Sequence, residues 1–281
     1  PMKELQGKVA VITGAAEGIG RAIAEQAAAR GMKLVLADIS EAKLNETVAA
    51  LRASGAEVEG VRVDVSKAEQ VEALAARAFE RFGNVHLLVN NAGVALAKSA
   101  WETTIADWEW VLGVNLYGVI HGIRAFVPRM LEKGEEGHIV NTASVAGLVS
   151  QPAMAAYNVS KFGVVTLTEG LHHDLTLRKT RLKASVLCPG WVKTRIAESE
   201  RHRDADQRTD PSQLHAVTAK TGLSMHKAVQ KGVAPEQVAD AVVAAVENEQ
   251  FYILTHPETK AGVHIRKEDI LQERPPTLLP V

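Results

Sequence analysis

The stretch GKVAVITGAAEGIGRAIAEQAAARGMKLVLADIS, residues 7 to 40, decides the fold. An apolar run stops at Thr13, and glycines follow at 14, 18 and 20. A helix-forming stretch comes next, then a second apolar run that ends on Asp38. Strand, glycine turn, helix and strand in that order make a unit built to hold a dinucleotide. Gly14 permits the tight turn, Gly18 lets backbone approach a ligand, and Gly20 lets the helix pack close to the strand. The helix then aims its positive end and free N–H groups, Ile19 among the first, at a diphosphate. The spacing is GxxxGxG rather than the commoner GxGxxG, and glycines that serve only a tight turn remain the alternative.

Asp38 stands about twenty residues past the glycines, where an acid accepts hydrogen bonds from the adenosine ribose. A 2′-phosphate there would meet its charge, and Glu17 adds a second acid. At ~4 Å and an effective dielectric of ~20, one such pair repels by about 4 kcal/mol. Ile39 and Ser40 follow Asp38, with no Lys or Arg immediately beside it. NAD is expected over NADP. The alternative is that Asp38 merely caps a helix.

Outward from this unit the rhythm repeats. The apolar runs KVAVIT (8–13), KLVLAD (33–38), EVEGVRVDV (57–65), VHLLVN (85–90), GHIVNTAS (137–144), LKASVLCP (182–189) and FYILT (251–255) alternate with helical patterns. Most lack period-2 polarity, as parallel strands covered on both faces do. The expectation is an α/β fold: one doubly wound Rossmann domain over residues 2–281, with a seven-stranded parallel sheet. The rhythm breaks between 197 and about 232, where the text turns polar before a helix resumes at PEQVADAVVAAVENE. A segment that long is a helical substrate lid, a disordered insertion or a subunit-contacting arm. A tail follows from about 256 to 281.

Composition narrows the function. A formal net charge of -1 and scattered Lys and Arg argue against nucleic acid or an anionic membrane as partner. The single Cys188, in an apolar run, excludes an intrachain disulfide framework and reads as a packed thiol, which fits a reducing, cytoplasmic setting. Pro1 ahead of Met2 reads as a remnant outside the fold, with no signal peptide after it. The most apolar long stretch, VLGVNLYGVIHGIRAFVP, carries Asn115, His121 and Arg124 and reads as a largely buried helix rather than a membrane span. The ten histidines show no metal-ligand spacing, so no metal is expected. Trp101, Trp108 and Trp110 lack a basic groove and read as packing or interface residues.

Four further pieces complete a pattern: NNAG at 90–93, Asn115 in GVNLYG, Ser144 in NTAS, and YNVSK with Tyr157 and Lys161. With TGAAEGIG in front and PGWVKT at 189–194, the chain from about 7 to 255 resembles the short-chain dehydrogenase/reductase family. The resemblance implies a catalytic set of Asn115, Ser144, Tyr157 and Lys161, with Ser144 and Tyr157 touching substrate. It implies that Lys161 also holds the nicotinamide ribose and that Asn115 holds a water relaying protons from Lys161. Asp64 matches the acid that binds the adenine amino group, with Val65 beside it. Asn91 and Gly93 would line the cofactor, and Pro189, Gly190, Val192 and Thr194 would cover the nicotinamide. Asn91 also has the structural reading of stabilising the central sheet.

The chemistry is consistent with those roles. Tyr157 and Lys161 are four apart and share a helix face. A phenol near pKa ~10 is too weak an acid or base at neutral pH, and a neighbouring cation favours the phenolate. Ser144 would hydrogen-bond the substrate oxygen as its charge changes.

The small-molecule substrate is expected to be a hydrophobic ketone or secondary alcohol, because Val145, Ala146, Leu148, Gln151 and Trp191 are the expected contacts and most are apolar. Two other classes remain: an idle nucleotide-binding sensor or scaffold, and a nucleotide-sugar epimerase or dehydratase. The first would have no need of the phenol–ammonium pair. The second carries a different glycine spacing and a longer C-terminal domain. Helices at 104–133 and 155–178 are apolar over more than one face, which together with the resemblance implies a homotetramer or homodimer.

Overall fold

In a computed structural model the protein is described from residue 2 to residue 280. Pro1 and Val281, the last residue of the expected domain, lie outside the described residues. Seven parallel strands form one sheet in the order β3-β2-β1-β4-β5-β6-β7. They are β1 (Val9–Thr13), β2 (Lys33–Asp38), β3 (Val58–Arg62), β4 (Leu87–Asn90), β5 (Gly137–Thr142), β6 (Leu182–Leu187) and β7 (Tyr252–Ile253). The missing period-2 polarity has a direct cause. Val9 and Val11 of β1 enter one core while Ala10 and Ile12 enter the other. Both faces of the strand are therefore dry.

The first core packs α1 (Gly18–Ala29), α2 (Glu41–Ala53) and α8 (Pro235–Asn248) on one face of the sheet. The second packs α3 (Ala68–Phe82), α5 (Gly118–Lys133) and α6 (Ala155–Leu177) on the other. Phe126 of α5 is fully buried there, and removing one such side chain from water contributes ~1.5–3 kcal/mol.

The expected single helix at 104–133 has a seam. It runs as α4 (Ile105–Leu112), a π turn (Gly113–Tyr117) and α5. The Gly118 N–H bonds back to Gly113, one residue further than in an α-helix, and the wider turn carries Asn115. By length and composition alone Ile105–Lys133 is apolar enough to cross a membrane. In the fold it lies against the sheet, yet less than half of its most apolar window is buried. "Largely buried" is thus corrected: within VLGVNLYGVIHGIRAFVP, Tyr117, Arg124 and Pro128 are exposed.

The polar segment is folded into three short 3-10 turns (Ile196–His202, Ala205–Gln207, Pro211–Gln213) and α7 (Ala216–Gln230). The tail carries α9 (Lys260–Leu271). Strand order reverses between β1 and β4, the place where a doubly wound sheet opens a crevice at its carboxyl edge.

Candidate active site

A cavity of about 310 Å³ fills that crevice. Its wall takes Gly14 from the end of β1, Asn91 and Gly93 from β4, Ser144 from β5, and Pro189 and Gly190 from β6. Tyr157 and Lys161 reach it from α6.

Each member of the expected catalytic set has a distinct setting. Ser144 lies two residues beyond β5, where its hydroxyl accepts from Ala146 N–H at 3.0 Å and caps a 3-10 turn. The capping role and the site position coexist in one side chain. The Ser144 side chain favours the ionised form of the Tyr157 phenol. Lys161 is buried, donates to the Thr142 carbonyl at 3.2 Å, and places Nζ 5.5 Å from the Tyr157 ring centroid. Burial pulls the Lys161 ammonium down to about 8. Burial also pushes the Tyr157 phenol above its ordinary value, and the Ser144 side chain only partly opposes it. The expected depression of the phenol is therefore not seen in the protein alone, because desolvation is the largest influence on it.

Asn115 sits beneath the cavity wall rather than on it. Its Oδ1 accepts from Val94 N–H at 2.8 Å, and its Nδ2 donates to the Val94 carbonyl at 2.8 Å and to Ser160 Oγ at 3.1 Å. Both amide hydrogens are engaged, and one lone pair of Oδ1 remains. That oxygen and Lys161 Nζ flank Gly93, each 3.5 Å from where a Cβ on Gly93 would lie.

The cofactor side fits a dinucleotide by its own geometry. Gly18 has φ +62°, and a Cβ on Gly20 would lie 2.1 Å from the Gly14 carbonyl oxygen, so neither accepts a side chain. Glu17 at the start of α1 makes no side-chain cap, which leaves the helix N–H groups pointed at the crevice. Ile19, Val65, Val192 and Thr194 line the same cavity. Asp38 ends β2, accepting from Ala16 N–H at 3.0 Å and Ser40 N–H at 2.9 Å. Asp64 lines the cavity from the loop after β3, and Ser66 donates to it twice. Asn91 donates to Thr13 and Gly14 carbonyls and accepts from Thr142 Oγ1. It joins three strand ends while facing the cavity.

Two expectations change. Glu17 does not stand as a free second acid against a 2′-phosphate, because Arg201 pairs with it and Arg195 lies 3.8 Å away. Of the expected substrate contacts, Val145, Gln151 and Trp191 line the cavity, but Ala146 and Leu148 do not. Leu148 instead packs into the core with Val164 and Val165. Trp110, Val114 and Met154 take their place on the wall, and α7 adds Met225 and Val229. Trp110 packs against Val94, Leu96, Val111 and Ala156, as expected, and lines the cavity as well. Cys188 is buried, its thiol pushed up to about 12, as suits a packed side chain.

The short chain dehydrogenase family model matches residues 8–205. A dehydrogenase/reductase of CLA biosynthesis from Lactiplantibacillus plantarum is 39% identical, covering 98% of this chain and 97% of that protein. The C alpha-dehydrogenase of a Sphingobium species is 33% identical over 98% of this chain and 89% of its own. Among solved structures, a short-chain dehydrogenase/reductase from Burkholderia phymatum in complex with NAD is 51% identical. It superposes with a TM-score of 0.95, covering 100% of this chain and 99% of that one.

Proposed function

The chain belongs to the short-chain dehydrogenase/reductase family of oxidoreductases, and on that premise we propose that it transfers a hydride between NAD and a hydrophobic ketone or secondary alcohol. The observation that carries this reading is the placement of Ser144, Tyr157 and Lys161 on one cavity that also receives the glycine turn and Asp38. Bound NAD supplies the hydride acceptor or donor at its nicotinamide and, when oxidised, a positive charge there. In reduction, Tyr157 donates its phenolic proton to the carbonyl oxygen while Ser144 holds that oxygen by a hydrogen bond. In oxidation the proton returns to Tyr157. Lys161 keeps a positive charge behind the phenol and would hold the ribose hydroxyls, and Asn115 Oδ1 retains one lone pair for a relaying water. The loop 189–194 covers the nicotinamide face.

The substrate class follows from the wall. Trp110, Met154, Trp191, Met225 and Val229 make its far side largely apolar. The names of the relatives, dehydrogenases and reductases, and the NAD bound by the Burkholderia protein support the reading. A panel of aliphatic and aromatic ketones with NADH, and of the matching alcohols with NAD, tests it through the absorbance of reduced nicotinamide. Turnover confined to polyols or sugar phosphates would overturn it.

The proposal extends to assembly. Ile105 and Tyr117 of the α4–α5 helix, and Val159 and Leu177 of α6, remain exposed. Pairing of these helices into a dimer or tetramer would cover them. Light scattering at micromolar concentration should give a multiple of the monomer mass, and a monomer mass would refute pairing.

A further inference from the structure

The chain beyond β7 returns to the site through one side chain. His256 is buried, and its Nδ1 accepts from the Gly190 N–H at 2.9 Å. The Thr255 hydroxyl lies 2.8 Å from the same nitrogen. Its Nε2 lies 2.9 Å from the Trp191 carbonyl oxygen. A backbone N–H can only donate and a carbonyl can only accept, so the ring is neutral with its proton on Nε2. The imidazole therefore clamps two consecutive residues of the loop 189–194. Gly190 is shaped to it, since a Cβ there would lie 2.9 Å from both Cγ and Cδ2 of the ring.

The clamp connects to the chemistry at one end and to the polar segment at the other. The Pro189 carbonyl accepts from Val145 N–H at 2.9 Å and from the Ser144 hydroxyl at 3.4 Å. The Trp191 carbonyl, held by His256, also accepts from Val233 N–H at 3.1 Å. The ring's own backbone is fixed in turn, with the His256 carbonyl accepting from Thr259 N–H at 3.0 Å and Thr259 Oγ1 at 2.6 Å.

We propose that His256 is a positioning residue for the cofactor: its ring holds Gly190 and Trp191 so that the loop lies against the nicotinamide. The inference rests on the reading of that loop as the nicotinamide cover. His256→Phe keeps a ring and removes both bonds, whereas His256→Gln offers a carbonyl acceptor and an N–H donor at a similar separation. With two backbone partners lost, the Phe variant should bind NAD about tenfold more weakly, read by tryptophan fluorescence, and lose a comparable factor in kcat, while the Gln variant stays within about threefold of wild type. A Phe variant with a lower Tm but unchanged Kd for NAD and unchanged kcat per folded molecule would overturn the proposal. Should the Phe variant not fold, nitrogen-15 NMR of the wild-type ring decides. The proton should sit on Nε2 and the ring signals should shift on saturation with NAD; the other tautomer, or no shift, overturns the clamp. Wild-type protein that binds NAD but turns over no alcohol or ketone would defeat the proposed reaction and leave this test intact.

Discussion

Arg203, in the polar segment after β6, places Nη1 2.8 Å from Oδ1 of Asp107 in the first turn of α4, with both side chains buried. The other carboxylate oxygen accepts from buried Lys98 at 2.7 Å and from Thr104 N–H at 2.9 Å. Burial works against the Asp107 charge, but the bonds from Lys98, Thr104 and Arg203 outweigh it and hold the carboxyl below its ordinary range. The guanidinium also lies 4.7 Å from the Trp110 ring centroid. One buried carboxylate thus ties the root of the polar segment to the cavity wall at Trp110.

Asp107→Asn should therefore be severe, because it leaves Lys98 buried without a counter-charge and Arg203 with only Glu200, 3.3 Å away. A loss of about 3–5 kcal/mol in urea unfolding is expected. Arg203→Met keeps the Lys98–Asp107 pair and packs its own stem, so it should cost clearly less. Equal losses in the two variants would show that the cluster is not centred on Asp107.

Catalysis is separable from binding at Tyr157. Tyr157→Phe removes one hydroxyl, so fold and NAD binding should persist while turnover falls by ~10²–10⁴-fold. Carbonyl reduction needs a protonated phenol and a charged Lys161. With Lys161 pulled down to about 8, the rate of reduction should hold near neutral pH and decline as pH rises through about 8. Lys161→Met should be slow at every pH and lose that decline. Retention of more than about a tenth of wild-type turnover in Tyr157→Phe would remove Tyr157 from the acid–base role.

Cofactor choice should depend first on Asp38. Asp38→Ala should narrow the preference for NAD over NADP, since one repulsion of about 4 kcal/mol at short range is removed. Glu17→Gln should narrow it further, because it releases the cavity-lining Arg201 to face a 2′-phosphate. Ratios of kcat/KM for the two cofactors measure both, and a wild-type preference for NADP would sink the argument.

What the sequence makes legible here is what lies close along the chain. Gly14, Gly18, Asp38, and the Tyr157–Lys161 spacing each follow from local period and turn chemistry, and all reach the cavity as expected, while Gly20 packs against the Gly14 backbone behind it. The π turn does not show, because the apolar period runs through Gly113–Tyr117 without a break. Arg201 and Glu17 are 184 residues apart, and Arg203 and Asp107 are 96 apart. Such pairs depend on how a polar segment folds back, and a run of mixed charge carries no period that says so. Ala146 and Leu148 mislead for a related reason. The 3-10 turn after Ser144 swings Leu148 toward the α6 core, and an apolar residue looks the same in either place.

The polar segment is the last test. Its first half is fastened: the Ala95 N–H donates to Ser199 Oγ at 3.0 Å, Arg203 binds Asp107, and Glu102 accepts from His215 N–H at 2.8 Å. Of the apolar residues of α7, Met225 and Val229, one turn apart, are buried on the cavity wall, while Val217 and Leu223 are exposed. Movement, if the segment is a lid, should then belong to α7 rather than to 197–215. Trypsin should cut within 216–232 more slowly when NAD and substrate saturate the protein, because closure excludes water and orders the helix. Met225→Ala should favour a bulkier ketone over a smaller one by about tenfold in kcat/KM, a difference of the size that a few methylenes of pocket wall contribute. Cleavage equally fast with and without ligands, together with an unchanged size preference in Met225→Ala, would leave α7 as part of the fixed wall or of a subunit contact.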